Sequence, residues 1–202
     1  MFKKNTSSVS QVSSVETVLL ITLLRQVLSQ DTKGDVVELG CYKGDTSVLF
    51  QRELQRTEKH LWLYDSFAGL PEKTREDNSV AGDQFKSGEL FVTKREVIEK
   101  FKRQNLILPK IKKAFFEDLN PETDLPAKIC FAFLDGDLYT SIKISLFLIQ
   151  DKMQPGGIIV IHDYNNAELP GSGRAVDEWL KKHRHQIKQF KTQETLAIIT
   201  LK

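Results

Sequence analysis

Two apolar runs in this chain end abruptly in acids: Ile129 to Asp137, ICFAFLDGD, and Ile158 to Tyr164, IIVIHDY. Both read as short buried strands, because neither has a polar face to turn to water. In an open parallel sheet, ligands bind outside the carboxyl ends of the strands. Asp135, Asp137, His162 and Asp163 would therefore gather at one rim. Three carboxylates and an imidazole at one strand edge are costly unless they hold a cation or move a proton.

The remaining chain supplies a scaffold for that cluster. A length of 202 residues suits one well-cored domain, taken as 1–202, and is too short for two. A net charge of +2 gives no reason to expect nucleic acid as a partner. The basic runs at 94–113 and 181–184 read as solvated helix faces. Cys41 and Cys130 make no disulfide framework, which fits a reducing, cytoplasmic setting. Val18 to Leu24 is too short to span a bilayer and is followed by Arg25-Gln26, not a cleavage site, so no membrane is expected.

Residues 1–12 are polar and read as frayed. Ser14 then caps a helix over 14–30, whose stripe of Val15, Val18, Leu19, Ile21, Leu24, Val27 and Leu28 must bury against the sheet or a second subunit. A homodimer is one way to cover it. Asp35 to Leu39 is a strand, Gly40 to Gly44 a glycine turn, and Asp45, Thr46 or Ser47 the cap of the next helix. Strand, glycine turn and helix start form a unit that can cradle a nucleotide. Leu61 to Tyr64 is a second strand. The acid after it, Asp65, lies where it can accept hydrogen bonds from ribose hydroxyls. Residues 69–88 form a long loop, and a charged helix runs from residue 89 or 93 to Lys102. Ile111 to Phe116 is the third strand, followed by an acidic turn over 117–124. A helix over 140–151 carries Ile142, Leu146 and Ile149 inward. Pro155-Gly156-Gly157 turns the chain into the strand bearing His162, and a helix spans about 174–183. Strands near 187–191 and 195–201, linked by 192–194, close the chain as an antiparallel hairpin.

With these elements in order, four motifs take on a specific meaning. VVELGCYKGDTS resembles the S-adenosylmethionine (SAM) motif of class I methyltransferases. YDSFAGLP, FLDGDLYTS and PGGIIVIHDY resemble, in matching order and spacing, signatures of the macrocin O-methyltransferase family. Gly173 to Asp177 is similar to a further helix motif of that family. The resemblance runs from about Asp35 to Trp179. It implies an α/β, Rossmann-like fold: a seven-stranded, mostly parallel sheet with an antiparallel C-terminal hairpin and helices on both faces.

The same resemblance implies roles. Glu38, Leu39, Gly40, Tyr42, Asp45, Thr46 and Ser47 would line the SAM pocket. Asp65 would hold the ribose, with Ser66 and Phe67 beside it, and Phe116, Glu117 and Asp118 would face the adenine. Asp135 and Asp163 would ligate magnesium, Asp135 also bordering the cofactor, and Asp137 would be the general base for a sugar hydroxyl. His162 stands where the family has a second adjacent acid. Imidazole suits manganese or iron better than magnesium. It would sit at the edge of a divalent site, leave a water in its place, or act without metal as a base or hydrogen-bond partner. The implied activity is O-methylation of a sugar, glycoside or related small natural product. A catechol, amine or carboxylate acceptor remains open, as does a non-catalytic SAM- or nucleotide-binding role. Phe115, Phe116 and Trp179 are expected in the core.

Overall fold

A computed structural model describes residues 11–202. Strands β1 (Asp35–Leu39), β2 (Leu61–Asp65), β3 (Lys110–Lys113), β4 (Ile129–Leu134), β5 (Met153–Ile161), β6 (Ile187–Gln193) and β7 (Leu196–Leu201) form one seven-stranded sheet. Its order is β3-β2-β1-β4-β5-β7-β6. The first five strands are parallel, and β7 inserts antiparallel between β5 and β6. This is the Rossmann-like sheet with a C-terminal hairpin that the motifs imply. Strand order reverses between β1 and β4, the position where such sheets open a crevice.

Helices α1 (Ser14–Ser29), α2 (Asp45–Leu54), α3 (Lys94–Arg103), α4 (Pro121–Asp124), α5 (Tyr139–Ile149) and α6 (Pro170–His183) complete the described chain. Alternation along the strands sends successive side chains to opposite faces. Val36, Leu63, Phe131, Phe133 and Val160 pack with Leu20 and Leu24 of α1, Phe50 and Leu54 of α2, and Phe101 of α3. Val37, Leu39, Ala132, Leu134 and Ile161 pack with Ile142 and Leu146 of α5 and Val176 and Trp179 of α6. The central strands are thus buried on both sides, which explains the unbroken apolar runs of β4 and of 158–161 in β5.

Several boundaries differ from the sequence reading. Ser13, not Ser14, caps α1 by accepting from Glu16 N. The buried face of α1 is Glu16, Leu20, Leu24 and Val27, while Val15 and Val18 are exposed. Helix α2 has no side-chain cap from Asp45, Thr46 or Ser47; its N-cap is Gly44 in the left-handed region at φ +73°. Strand β3 ends at Lys113, and Phe116–Asp118 form a 3₁₀ turn. Pro155, Gly156 and Gly157 lie inside β5, where the pairing to β4 shifts register, rather than in a turn before it. Helix α6 begins at Pro170, four residues early, because proline's fixed φ suits a first helical turn. The hairpin link is Glu194-Thr195, with Glu194 at φ 52°.

Helix α5 has no side-chain cap of its own, since its N-cap is Leu138. The cap comes from the 69–88 loop. Asp77, 1% exposed, accepts from Tyr139 N at 2.7 Å through Oδ1. Its Oδ2 accepts from Thr74 N and Thr74 Oγ1 at 2.9 and 3.0 Å. Truncating Asp77→Ala leaves a buried N–H without a partner and should cost about 1–3 kcal/mol, read as a lower urea midpoint at unchanged slope.

Candidate active site

Hydrogen bonds between strand ends hold the rim together. Asp135 N donates to Leu39 O (2.8 Å), Gly40 N to Tyr64 O (2.9 Å), His162 N to Leu134 O (2.9 Å) and Tyr164 N to Thr195 O (2.7 Å). The ends of β1, β4 and β5 therefore lie side by side. Gly40, at φ +90°, allows this contact: a Cβ there would sit 1.9 Å from Asp135 O.

A cavity of about 940 Å³, counting its open mouth, occupies the crevice above β1 and β4. The structure brings together Glu38, Gly40, Tyr42, Asp45, Thr46, Asp65, Ser66, Phe116, Glu117, Asp135 and Asp137 along its wall. Gln11 and Val12 also line it, and Val12 is buried at 4% exposure, so the segment expected to fray over 1–12 packs against the cavity at its end. Residues 1–10 lie outside the described residues. Four expected cofactor residues are not on the wall. Leu39 and Phe67 are buried in the two cores, Ser47 is fully buried within α2, and Asp118 is exposed at the end of the 3₁₀ turn. Phe115 and Phe116 are half-buried wall residues rather than core, whereas Trp179 packs in the core as expected.

The wall is acidic. Glu38 is 1% exposed, and its Oε2 has no hydrogen-bond partner among the described residues. Burial pushes its carboxyl well above the usual range, and the charges of Asp135 and Asp65 push it further. Asp65 turns out to organise the glycine turn. Its Oδ2 accepts from Cys41 N and Tyr42 N at 2.9 and 3.0 Å, and its Oδ1 from Phe67 N at 2.8 Å. Oδ2 is thereby filled, and Oδ1 keeps one lone pair for a ligand hydroxyl. Asp137 stands beside Asp135 in the left-handed region at φ 59°. Burial holds its carboxyl well above the usual range, reinforced by the charges of Asp135 and Asp163.

Behind Asp135 lies a second cluster. His162 and Asp163 are 6% and 4% exposed and stand just behind the cavity wall. His162 Nδ1 is 2.9 Å from Asp135 Oδ1 and 2.9 Å from Asp163 Oδ2. Neither contact is aligned as a hydrogen bond, so Nδ1 is a buried polar atom without a partner. The three donor atoms all lie within 4.8 Å of one another. Adjacent ligands of an octahedral ion at about 2.1 Å would lie about 3 Å apart, so this donor set fits a small divalent cation. Asp163 is also in the left-handed region, at φ 59°, and its Oδ1 accepts from Asn166 Nδ2 at 2.7 Å. Burial alone would lower the affinity of His162 for a proton. The carboxylates of Asp135, Asp163 and Glu16 outweigh it and raise that affinity far above the usual imidazole value.

Glu16, at the start of α1, had no role in the sequence reading. The only signal was Ser13-x-x-Glu16, an ordinary capping box.

The macrocin-O-methyltransferase (TylF) family model matches residues 17–194. The chain belongs to this family. One relative is 8-demethyl-8-(2,3-dimethoxy-alpha-L-rhamnosyl)-tetracenomycin-C 4'-O-methyltransferase of Streptomyces olivaceus, 30% identical over 68% of this chain and 56% of that protein. Another is demethyldecarbamoylnovobiocin O-methyltransferase of Streptomyces niveus, 27% identical over 79% of this chain and 63% of the relative. The chain thus spans a little over half to under two thirds of the length of these macrocin-family relatives. Among solved structures, the O-methyltransferase NovP superposes with a TM-score of 0.78 at 23% identity, over 92% of this chain and 78% of that one. Calicheamicin methyltransferase CalS11 superposes with a TM-score of 0.72 at 18% identity, over 94% and 80%. Both share this chain's fold. Among the described residues, no helix is long and apolar enough to cross a membrane.

Proposed function

We propose that this chain is a SAM-dependent O-methyltransferase acting on a hydroxyl of a sugar, glycoside or related small natural product. The observation that carries this reading is the acidic crevice at the switch point, with the orphaned Glu38 Oε2 at its base. SAM bears two positive groups, a sulfonium and an α-ammonium, and supplies the methyl group when bound. An acidic, partly dry wall favours that cation. Glu38 would accept from the α-ammonium, Asp65 would take a ribose hydroxyl through Oδ1, and Phe116 and Glu117 would border the adenine. Family membership and the rhamnosyl group in the name of the tetracenomycin relative support a glycosyl acceptor.

Asp137 is the proposed general base. It shares the cavity wall with Asp135, so a hydroxyl placed between them can lose its proton to Asp137 as the oxygen attacks. Its raised proton affinity makes it a stronger base than an exposed carboxylate.

Asp135, Asp163 and His162 are the proposed holders of a divalent ion, whose charge would stabilise the developing alkoxide. Asp135 is the member that faces the cavity. A second reading rests on the same distances: a protonated His162 between two carboxylates would itself supply the positive charge. Turnover of a glycoside panel with and without EDTA separates the two. Loss of at least tenfold with EDTA, restored by magnesium or manganese, is expected for the metal reading; unchanged turnover would leave His162 as the cation. Calorimetry with SAM tests the parent proposal, and a chain that binds no SAM would overturn it.

A further inference from the structure

The side chain of Glu16 reaches from α1 to the metal-ligand cluster and is the least explained acid in the molecule. It is 3% exposed. Its Oε1 accepts from Thr195 N at 3.1 Å and Thr195 Oγ1 at 2.5 Å, and its Oε2 accepts from Ser13 N at 3.0 Å. Oε2 also lies 3.7 Å from His162 Nε2. A capping acid needs only its bond to the N-cap and is normally solvated. Burying this carboxylate is costly unless a positive or donor group compensates it. Ser13 N, Thr195 N and Thr195 Oγ1 donate to it, and the imidazole adds the neighbouring group that can carry positive charge.

The ring is therefore held from both edges. Nε2 faces Glu16, and Nδ1 faces Asp135 and Asp163 at 2.9 Å. Phe133 packs edge-to-face with the ring at 6.3 Å between centroids and limits its tilt. At 3.7 Å the Glu16 contact is longer than a good hydrogen bond, so it acts as a fixed charge beside Nε2. A histidine whose far nitrogen is paired with a carboxylate presents its near nitrogen in a defined direction, the arrangement that sharpens metal ligation.

We propose that Glu16 is a positioning residue for the cation site: by pairing with Nε2 it turns His162 so that Nδ1 faces the acids. The inference rests on the metal reading above. It also ties the site to two distant pieces of chain, the first turn of α1 and the β6–β7 turn at Thr195. An imidazole donor between two carboxylates shifts preference from magnesium toward manganese and other borderline ions.

The test measures Mn(II) binding to the full chain by electron paramagnetic resonance, with pulsed detection of nitrogen coupling, and S-adenosylhomocysteine affinity as the control for folding. Glu16→Gln keeps the shape and removes the charge. It should weaken Mn(II) by about 10–100-fold and change the nitrogen coupling, while homocysteine-ligand affinity stays within about threefold. Arg25→Ala breaks an exposed ion pair to Glu53 further along α1, away from the imidazole and Glu16, and should leave Mn(II) affinity within about threefold. Glu16→Asp, which keeps the charge but draws it back, should fall between wild type and Glu16→Gln and serves if the latter fails to fold. Mn(II) affinity in Glu16→Gln equal to wild type, or an equal loss in Arg25→Ala, would overturn the positioning role and leave the metal reading standing. A wild-type chain that binds no Mn(II) overturns the metal reading and this inference with it.

Discussion

Asp137→Asn is expected to lower methyl transfer by about 10²–10⁴-fold, the range for losing a positioned base, while SAM affinity changes little. The substitution is nearly isosteric, and the cofactor contacts proposed for Glu38 and Asp65 lie elsewhere on the wall. Burial, Asp135 and Asp163 together hold the Asp137 carboxyl well above the usual carboxylate range. Two consequences follow from that sign. Only the ionised form can accept the substrate proton, so the acid limb of kcat/KM in the wild type should lie above the ordinary carboxylate range. The folded state also holds this proton more tightly than the unfolded chain, so the group costs stability as pH rises from its unfolded value through its folded one. Asn carries no such cost. Its thermal midpoint near neutral pH should equal or exceed that of wild type while turnover collapses, and retained turnover would remove Asp137 from the role.

Gly40→Ala should be the most damaging substitution in the crevice. The added methyl would lie 1.9 Å from the Asp135 carbonyl oxygen, with its carbon 2.6 Å away, and neither atom can retreat. That carbonyl belongs to the residue whose N–H bonds to Leu39 O across β1 and β4. The backbone at φ +90° adds a second penalty for any L-residue. A destabilisation of about 4 kcal/mol or more is expected, in the range reserved for core overpacking and special backbone positions. Chemical denaturation measures it. Because the same contact aligns Glu38 and Asp135 along the cavity, any folded fraction should bind SAM poorly.

Much of the scaffold was legible because the reporting signals are local. The runs at 129–134 and 158–161 are unbroken, and those at 35–39 and 61–65 are mostly apolar, because the sheet is covered on both faces, and composition records that burial directly. Helix starts were less legible. The cap of α2 is a glycine with no side chain to advertise it, and the cap of α5 comes from Asp77 in a distant loop. Proline and glycine at 155–157 read as a turn, yet they sit at a register shift inside β5. Those residues mark irregular backbone equally well in either setting.

Within the candidate site, the chain order alone determined that Glu38, Asp65, Asp135, Asp137, His162 and Asp163 end or follow strands. A parallel sheet places every such residue at one edge, so their gathering needed no coordinates. Tertiary structure decided which of them share a cavity, and it divided them: Asp135 and Asp137 on the wall, His162 and Asp163 behind it. It also decided what Asp65 bonds to and brought Glu16 against the β6–β7 turn, 179 residues away in sequence. Periodicity and local motifs say which way a residue faces on its own element. Only packing one element on another can say which residue it meets.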